Sequence, residues 1–268
     1  MTEFMYDIDS VLIAGVLLVS MLLAIESGYR LGSRSEHVTG EDFKQHVNAT
    51  SASLLGILAL LLGFTFSLSL QRYDSRSEAV VDEANAIGTT YLRSRMLPAG
   101  VRDEVGKLLH EYVDLRVKAG EIDLTAHQTL SEMAAETGRL HSALWDYARR
   151  AVELDPRPVT SGLFVQTLNE LIDNYGKRDA ELARHVPEFV LILLYITFIM
   201  TGAVVGYATG LAGHRPSFVT HILVGLIVIL VFIIVDLDRP RRGWIQVSQK
   251  SMLDLQTDIR ELSGVGKQ

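Results

Sequence analysis

The first residues that could carry chemistry are His110, Glu111 and Asp114, which share one predicted helix. Histidine and carboxylate at helical spacing can hold a metal ion, but the second histidine of a metalloprotease helix is missing. No metal site is expected there. His141 and Ser142 set a base beside a hydroxyl, yet neighbours on a helix point in different directions, so no activated nucleophile results. The stretch from Gly206 to Ser217 is rich in glycine but lacks the lysine of a phosphate-binding loop. Cysteine is absent from all 268 residues, which removes disulfides, thiolate metal sites and cysteine nucleophiles. The expectation is a protein that is not an enzyme and needs no cofactor.

The patterned residues that remain lie along a single helix. The stretch LLGFTFSLSLQRYDSRSEAVVDEANAIGTTYLR, Leu61 to Arg93, passes from apolar to charged without a proline or a turn dipeptide. At 100° per residue, Gly56, Leu60, Gly63, Ser67, Leu70, Asp74 and Glu78 fall within about ±40° of one line, and Asp82 drifts off by roughly another 40°. Phe64 and Phe66 flank this face. Arg72 and Arg76 lie nearly opposite, where they are expected to reach lipid phosphates. Two readings stand side by side. Gly56 and Gly63 could simply permit close helix packing, with Asp74, Glu78 and Asp82 as a solvated face. Alternatively, the face lines a symmetric pore, with Gly56, Gly63, Phe64, Phe66 and Ser67 along it and the three carboxylates in a charged vestibule.

Such a helix needs a membrane around it, and the composition supplies one. Hydrophobic residues make up 48% and charged residues 21%, with a mean hydropathy of +0.22. That balance fits apolar spans joined to a sizeable polar region. The net charge of −7 argues against a nucleic-acid partner. Four segments are long and apolar enough to cross a bilayer: Ile8–Ile25, Ala52–Leu70, Phe189–Leu211 and Thr220–Val235. The first lacks a basic leader and a small-x-small cleavage site, so it is expected to be retained. Lys and Arg are denser on the side holding Arg72, Arg76, Arg239, Arg241 and Arg242 than on the side holding Arg30, Arg34, Lys44 and Arg215. The positive-inside rule then places both termini in the cytoplasm of a multi-pass plasma (inner) membrane protein.

Between the second and third spans, apolar residues recur at helical spacing. One set, Tyr73, Val80, Ala84, Ile87 and Tyr91, continues span two until Pro98. Further helices run through Val101–Leu115, Leu130–Ala151 and Leu163–Tyr175, and a C-terminal amphipathic helix through Trp244–Leu262. The fold class is therefore an all-α membrane protein, with spans one and two in 1–70, a cytoplasmic helical region in 71–188, spans three and four in 189–235 and a C-terminal helix in 236–268. Gly202, Gly206 and Gly210 in span three signal close helix–helix approach. Span four ends in VDLDRPRRG. Asp236, Asp238, Arg239, Arg241 and Arg242 there make either a stop-transfer boundary with snorkelling arginines or ion pairs between the aspartates and arginines of the cytoplasmic bundle.

The block Leu61–Arg93, together with VDLDRPRRGWIQVSQKSMLDLQ from Val235 to Gln256, resembles the bestrophin-like domain-of-unknown-function family of bacterial membrane proteins. With the span order, the resemblance covers essentially the whole chain. It implies similarity to bestrophins, pentameric anion channels with a phenylalanine-containing neck, and would make Phe64 and Phe66 neck candidates. The acidic continuation of the Gly63/Ser67 face departs from what an anion vestibule prefers, and favours cations. The functional expectation is a homo-oligomeric ion channel, pentameric by this resemblance, with membrane lipids and inorganic ions as partners. The alternative is a membrane-anchored sensor or scaffold whose helical bundle binds a partner protein.

Overall fold

In the computed structural model, residues 8–35, 40–123, 126–239, 241 and 243–263 are described. Their elements, in order, are α1 (Ser10–Ser35), α2 (Glu41–Ser94), α3 (Ala99–Glu121), α4 (His127–Leu154), a π-helical turn (Pro158–Gly162) leading directly into α5 (Leu163–Leu182), α6 (Glu188–Leu211), α7 (Phe218–Leu237) and α8 (Lys250–Leu262). No strand occurs among the described residues. The chain divides into two units, one of Met1–Arg72, His185–Arg239 and Gly243–Ile245, the other of Tyr73–Arg184, Pro240–Arg242 and Gln246–Gln268.

The first unit holds α1, the N-terminal part of α2, α6 and α7. Among the described residues, four helices are long and apolar enough to cross a membrane, yet only 22–28% of the residues in their most apolar stretches are buried. The remaining apolar surface, including Val11, Leu12, Ile57, Phe189 and Phe218, is exposed and suits hydrocarbon rather than water. What is buried is a compact cluster: Leu17, Met21 and Ile25 of α1, Leu58 and Leu62 of α2, Leu194 and Phe198 of α6, and Val224, Ile227, Val231 and Ile234 of α7.

Apolar burial drives helix association weakly inside a bilayer, so close backbone packing must do more of the work. α1 and α6 supply it with small residues. A Cβ on Gly28 would sit 2.0 Å from the Ala203 carbonyl oxygen, and one on Gly32 would sit 2.2 Å from that of Tyr207. Reciprocally, a Cβ on Gly206 would sit 2.1 Å from the Ile25 carbonyl oxygen and one on Gly210 2.4 Å from that of Tyr29. Gly202 has ordinary contact distances of 3.5 Å or more. The Ser20 and Tyr195 hydroxyls add a 2.8 Å hydrogen bond between the same two helices. α6 ends at Leu211, and the chain turns out of it at Gly213, whose φ of 72° only glycine adopts readily. The Gly213 and His214 N–H groups then cap the Gly210 and Thr209 carbonyls in a Schellman arrangement.

The second unit gathers the rest of α2 with α3, α4, α5 and α8. Their apolar stripes close over one core that includes Ile87, Val105, Leu109, Tyr112, Leu140, Leu144, Phe164, Leu168, Leu171, Met252 and Ile259. Pro98 precedes the first residue of α3, and a proline suits a helix entrance because the N–H it lacks would have no partner there. Asp155 shapes the α4–α5 connection. Its carboxylate accepts the Thr160 hydroxyl at 2.7 Å and the Arg157 guanidinium at 2.8 and 2.9 Å.

Several elements differ from their predicted extent, α1 among them, which runs on to Ser35. α2 starts at Glu41, well before the apolar span, because polar residues continue a helix as readily as apolar ones. The C-terminal helix starts at Lys250 instead of Trp244. Trp244 is 83% exposed and stands edge-on to Phe232 of α7, with ring centroids 5.7 Å apart.

Candidate functional site

In the first unit, α2 has two unlike sides. Leu58, Leu62, Thr65 and Ser69 are buried, and the Thr65 hydroxyl satisfies itself on the Leu61 carbonyl at 2.7 Å. Gly56, Leu60, Gly63, Phe64 and Ser67 are exposed. Nothing lies within 4 Å of a Cβ built on Gly56 or Gly63, so neither glycine serves helix packing within this chain. The two phenylalanines separate. Phe64 is 61% exposed, whereas Phe66 is half-buried against the apolar cluster of α1, α6 and α7. Phe66 thus also packs within this unit.

In the second unit, Asp74 and Glu78 are exposed and make no ion pair among the described residues. Asp82 instead takes a 2.8 Å hydrogen bond from Lys177 of α5, and both side chains stay about half exposed. Arg72 is half-buried. Arg76 corrects the expectation of a lipid contact. It is 1% exposed and donates to the carbonyl oxygens of Glu181, at 3.2 Å, and of Arg184. These carbonyls lie at the C-terminal end of α5, where backbone acceptors lack helical partners and the dipole favours a cation.

Sequence reasoning missed the strongest electrostatic feature of this unit. Glu83 is fully buried, between Arg116 of α3, whose Nε is 2.6 Å away, and the Nη1 of Arg178 of α5. Burial by itself would raise its carboxyl pKa, but the two guanidinium groups outweigh that and hold it below the usual carboxylate range. The signal was present, since Glu83 lies between Val80 and Ile87 on the apolar stripe, where a carboxylate must be paired. Around the triad, the Arg116 guanidinium lies 4.7 Å from the Tyr175 ring centre. His141 stacks between Tyr112 and Tyr175, each 5.2 Å away. Burial, then the charge of Arg116, pulls the His141 pKa down to about 4. His110 packs edge-on against Tyr91 at 5.7 Å.

At the end of α7, Asp236 is fully buried and accepts the Ile245 N–H at 2.8 Å. Gly243 leaves room for this carboxylate, since a Cβ there would lie 2.5 Å from Asp236 Oδ1. Asp238 accepts the Val186 N–H at 3.1 Å, just ahead of α6, with His185 Nδ1 3.6 Å from it. Arg239 is 3% exposed and reaches the Ser10 hydroxyl at the start of α1. It does not snorkel. Arg241 donates to the Ile122 carbonyl at 3.4 Å, and Arg242 lies outside the described residues. The two aspartates thus hold backbone N–H groups that start or turn chain segments, a role that the expected pairing with bundle arginines did not include.

The arrangement has solved counterparts. A bacterial bestrophin homologue from Klebsiella pneumoniae, solved by Zn-SAD phasing, superposes with a TM-score of 0.66 at 17% identity, over 92% of this chain and 98% of that one. A single-site variant of the same homologue gives 0.67 at 18% identity, over 92% and 99%. A further crystal structure, described as a membrane protein, gives 0.69 at 17% identity, over 96% and 100%. At such identities the likeness establishes the fold. No curated protein matches the chain. The model of the Bestrophin-like domain matches residues 16–252. The chain belongs to the bestrophin-like family.

Proposed function

We propose that the protein is the subunit of a homo-oligomeric ion channel of the plasma membrane, with α2 lining the pore. The observation that carries this reading is the composition of the exposed side of α2. The exposed positions of α1 and α7 are mostly large and apolar, such as Val11, Leu12 and Leu23 of α1 or Ile222, Leu226 and Ile229 of α7, as are Ile57, Leu60 and Leu68 of α2. On α2, exposed Gly56, Gly63 and Ser67 are small, which suits an aqueous axis or a close subunit neighbour better than lipid. Phe64 and Phe66 are the neck candidates, Phe64 being the more exposed. Asp74 and Glu78, unpaired and exposed, would line a vestibule that concentrates cations. A pentamer follows from the bestrophin resemblance, and Arg72 remains the lipid-phosphate candidate, with both termini in the cytoplasm.

The test is ion flux through the purified protein in liposomes, across salts, pH and membrane tension. Flux that changes with Phe64→Ala is the expected outcome. Absence of current under every condition would overturn the reading and leave the scaffold alternative.

A further inference from the structure

Among the described residues, Trp244 is the most exposed large hydrophobic side chain. Yet the backbone that carries it is fixed on both sides. Asp236, fully buried at the end of α7, accepts the Ile245 N–H at 2.8 Å. Gly243 packs so close to the same carboxylate that a Cβ there would lie 2.5 Å from Oδ1. One buried carboxylate therefore holds the residue before the indole and the residue after it. The indole stands edge-on to Phe232 of α7. Its N–H, a donor group, has no hydrogen-bond partner among the described residues.

Phe232 lies about 7.5 Å short of the end of α7 at Leu237, given the helical rise per residue. Exposed Ile222, Leu226 and Ile229 lead up to it along the same helix. Other helix ends of the first unit reach this level. Asp238 accepts the Val186 N–H at 3.1 Å, just ahead of α6, and Arg239 donates to the Ser10 hydroxyl at 3.1 Å, where α1 starts. Phe189, in the first turn of α6, is exposed at this edge. Two exposed aromatic side chains thus border the apolar surface of the unit where it gives way to polar chain. Water is a poor match for such rings, and hydrocarbon would leave the indole N–H without an acceptor. The headgroup level of a bilayer meets both demands, because lipid carbonyls and phosphates accept the N–H while the ring lies on acyl chains. We propose that Trp244 and Phe189 form a lipid-docking edge, with the Trp244 indole seated among the ester carbonyls of one leaflet and positioned there by Asp236. This requires that the first unit spans a membrane, not that the protein conducts.

The experiment uses the full chain reconstituted in phosphatidylcholine vesicles. The chain has two tryptophans, Trp145 and Trp244, so Trp145→Phe leaves Trp244 as the only indole reporter. The vesicle lipids carry bromine, a contact quencher, either near the glycerol end or near the methyl end of their acyl chains. Trp244 emission should be lost mainly with bromine near the glycerol end, and less with deep bromine. The difference in emission between the unmodified protein and Trp244→Phe should show the same ranking, with Trp145 left in place. Insensitivity to both lipids overturns the proposal, since water or a second copy of the chain would then cover the ring. A greater loss with deep bromine overturns it too, by placing the ring in the hydrocarbon core. Gly243→Ala drives a methyl toward the Asp236 carboxylate and should blunt the ranking. An unchanged ranking in that variant overturns the positioning role of Asp236.

Discussion

Two guanidinium groups share the Glu83 carboxylate, and each of the three side chains is less than a tenth exposed. Removing the shared partner leaves two buried cations facing each other. Glu83→Gln is therefore expected to destabilise the protein by about 3–5 kcal/mol, measured by denaturant unfolding. The carboxyl pKa of Glu83 lies below its unfolded value near 4.5. Its contribution is thus present above that pH and lost as the solution is acidified further. His141 acts in a higher window. Its folded pKa of about 4 lies below the unfolded 6.5, so between these values the unfolded chain binds a proton that the folded chain refuses. Stability should fall by roughly 2 kcal/mol from pH 6.5 to pH 4, a figure already reduced for the partial exposure of the ring. Glu83, Arg116, Tyr112 and Tyr175 all face His141, and only Glu83 opposes the shift. His141→Phe should flatten the pH dependence of Tm over that window. At this scale the sequence showed which side of α2 Arg76 occupies but not what covers that side. The end of α5, more than a hundred positions away, supplies the covering carbonyls.

Helices were the most legible level, because long apolar runs and 3.6-residue stripes are properties of one segment. Partners were less so. The Gly202, Gly206 and Gly210 repeat announced a close approach without naming the other helix, and Gly28 and Gly32, also four apart, went unnoticed on α1. The structure also ranks the glycines. Gly206→Ala or Gly28→Ala forces a methyl into a backbone carbonyl and is expected to cost about 1–3 kcal/mol, whereas Gly202→Ala should be nearly neutral. Thermal unfolding in detergent distinguishes the two groups. Gly63→Ala meets open space and should leave folding intact, so any effect of it on ion flux reports on the assembled face rather than on the subunit. The predicted C-terminal helix was too long by the stretch before Lys250 because Trp244 and Val247 fall at helical spacing by chance. Trp244 is spent on Phe232 instead.

For the whole molecule, the channel reading makes a charge prediction. Asp74→Asn combined with Glu78→Gln should lower cation over anion permeability, read from reversal potentials in a salt gradient, without changing Tm, because both carboxylates are exposed and unpaired. The membrane class and the family were legible from sequence; what meets the exposed side of α2 was not, since Gly56 and Gly63 face open space among the described residues. One feature of the second unit also bears on how the protein is made. Met252 and Ile259 of α8 are buried in its core, and Gln249 presses against Gly120 and bonds Arg178. Yet α8 leaves the ribosome only after α6 and α7. While those two hydrophobic helices are being handed to the membrane, α2 to α5 must wait with an unfilled apolar seam in water. Ribosomes that stop before Lys250 would release a chain whose spans are inserted and whose bundle cannot close, a natural substrate for quality-control proteases.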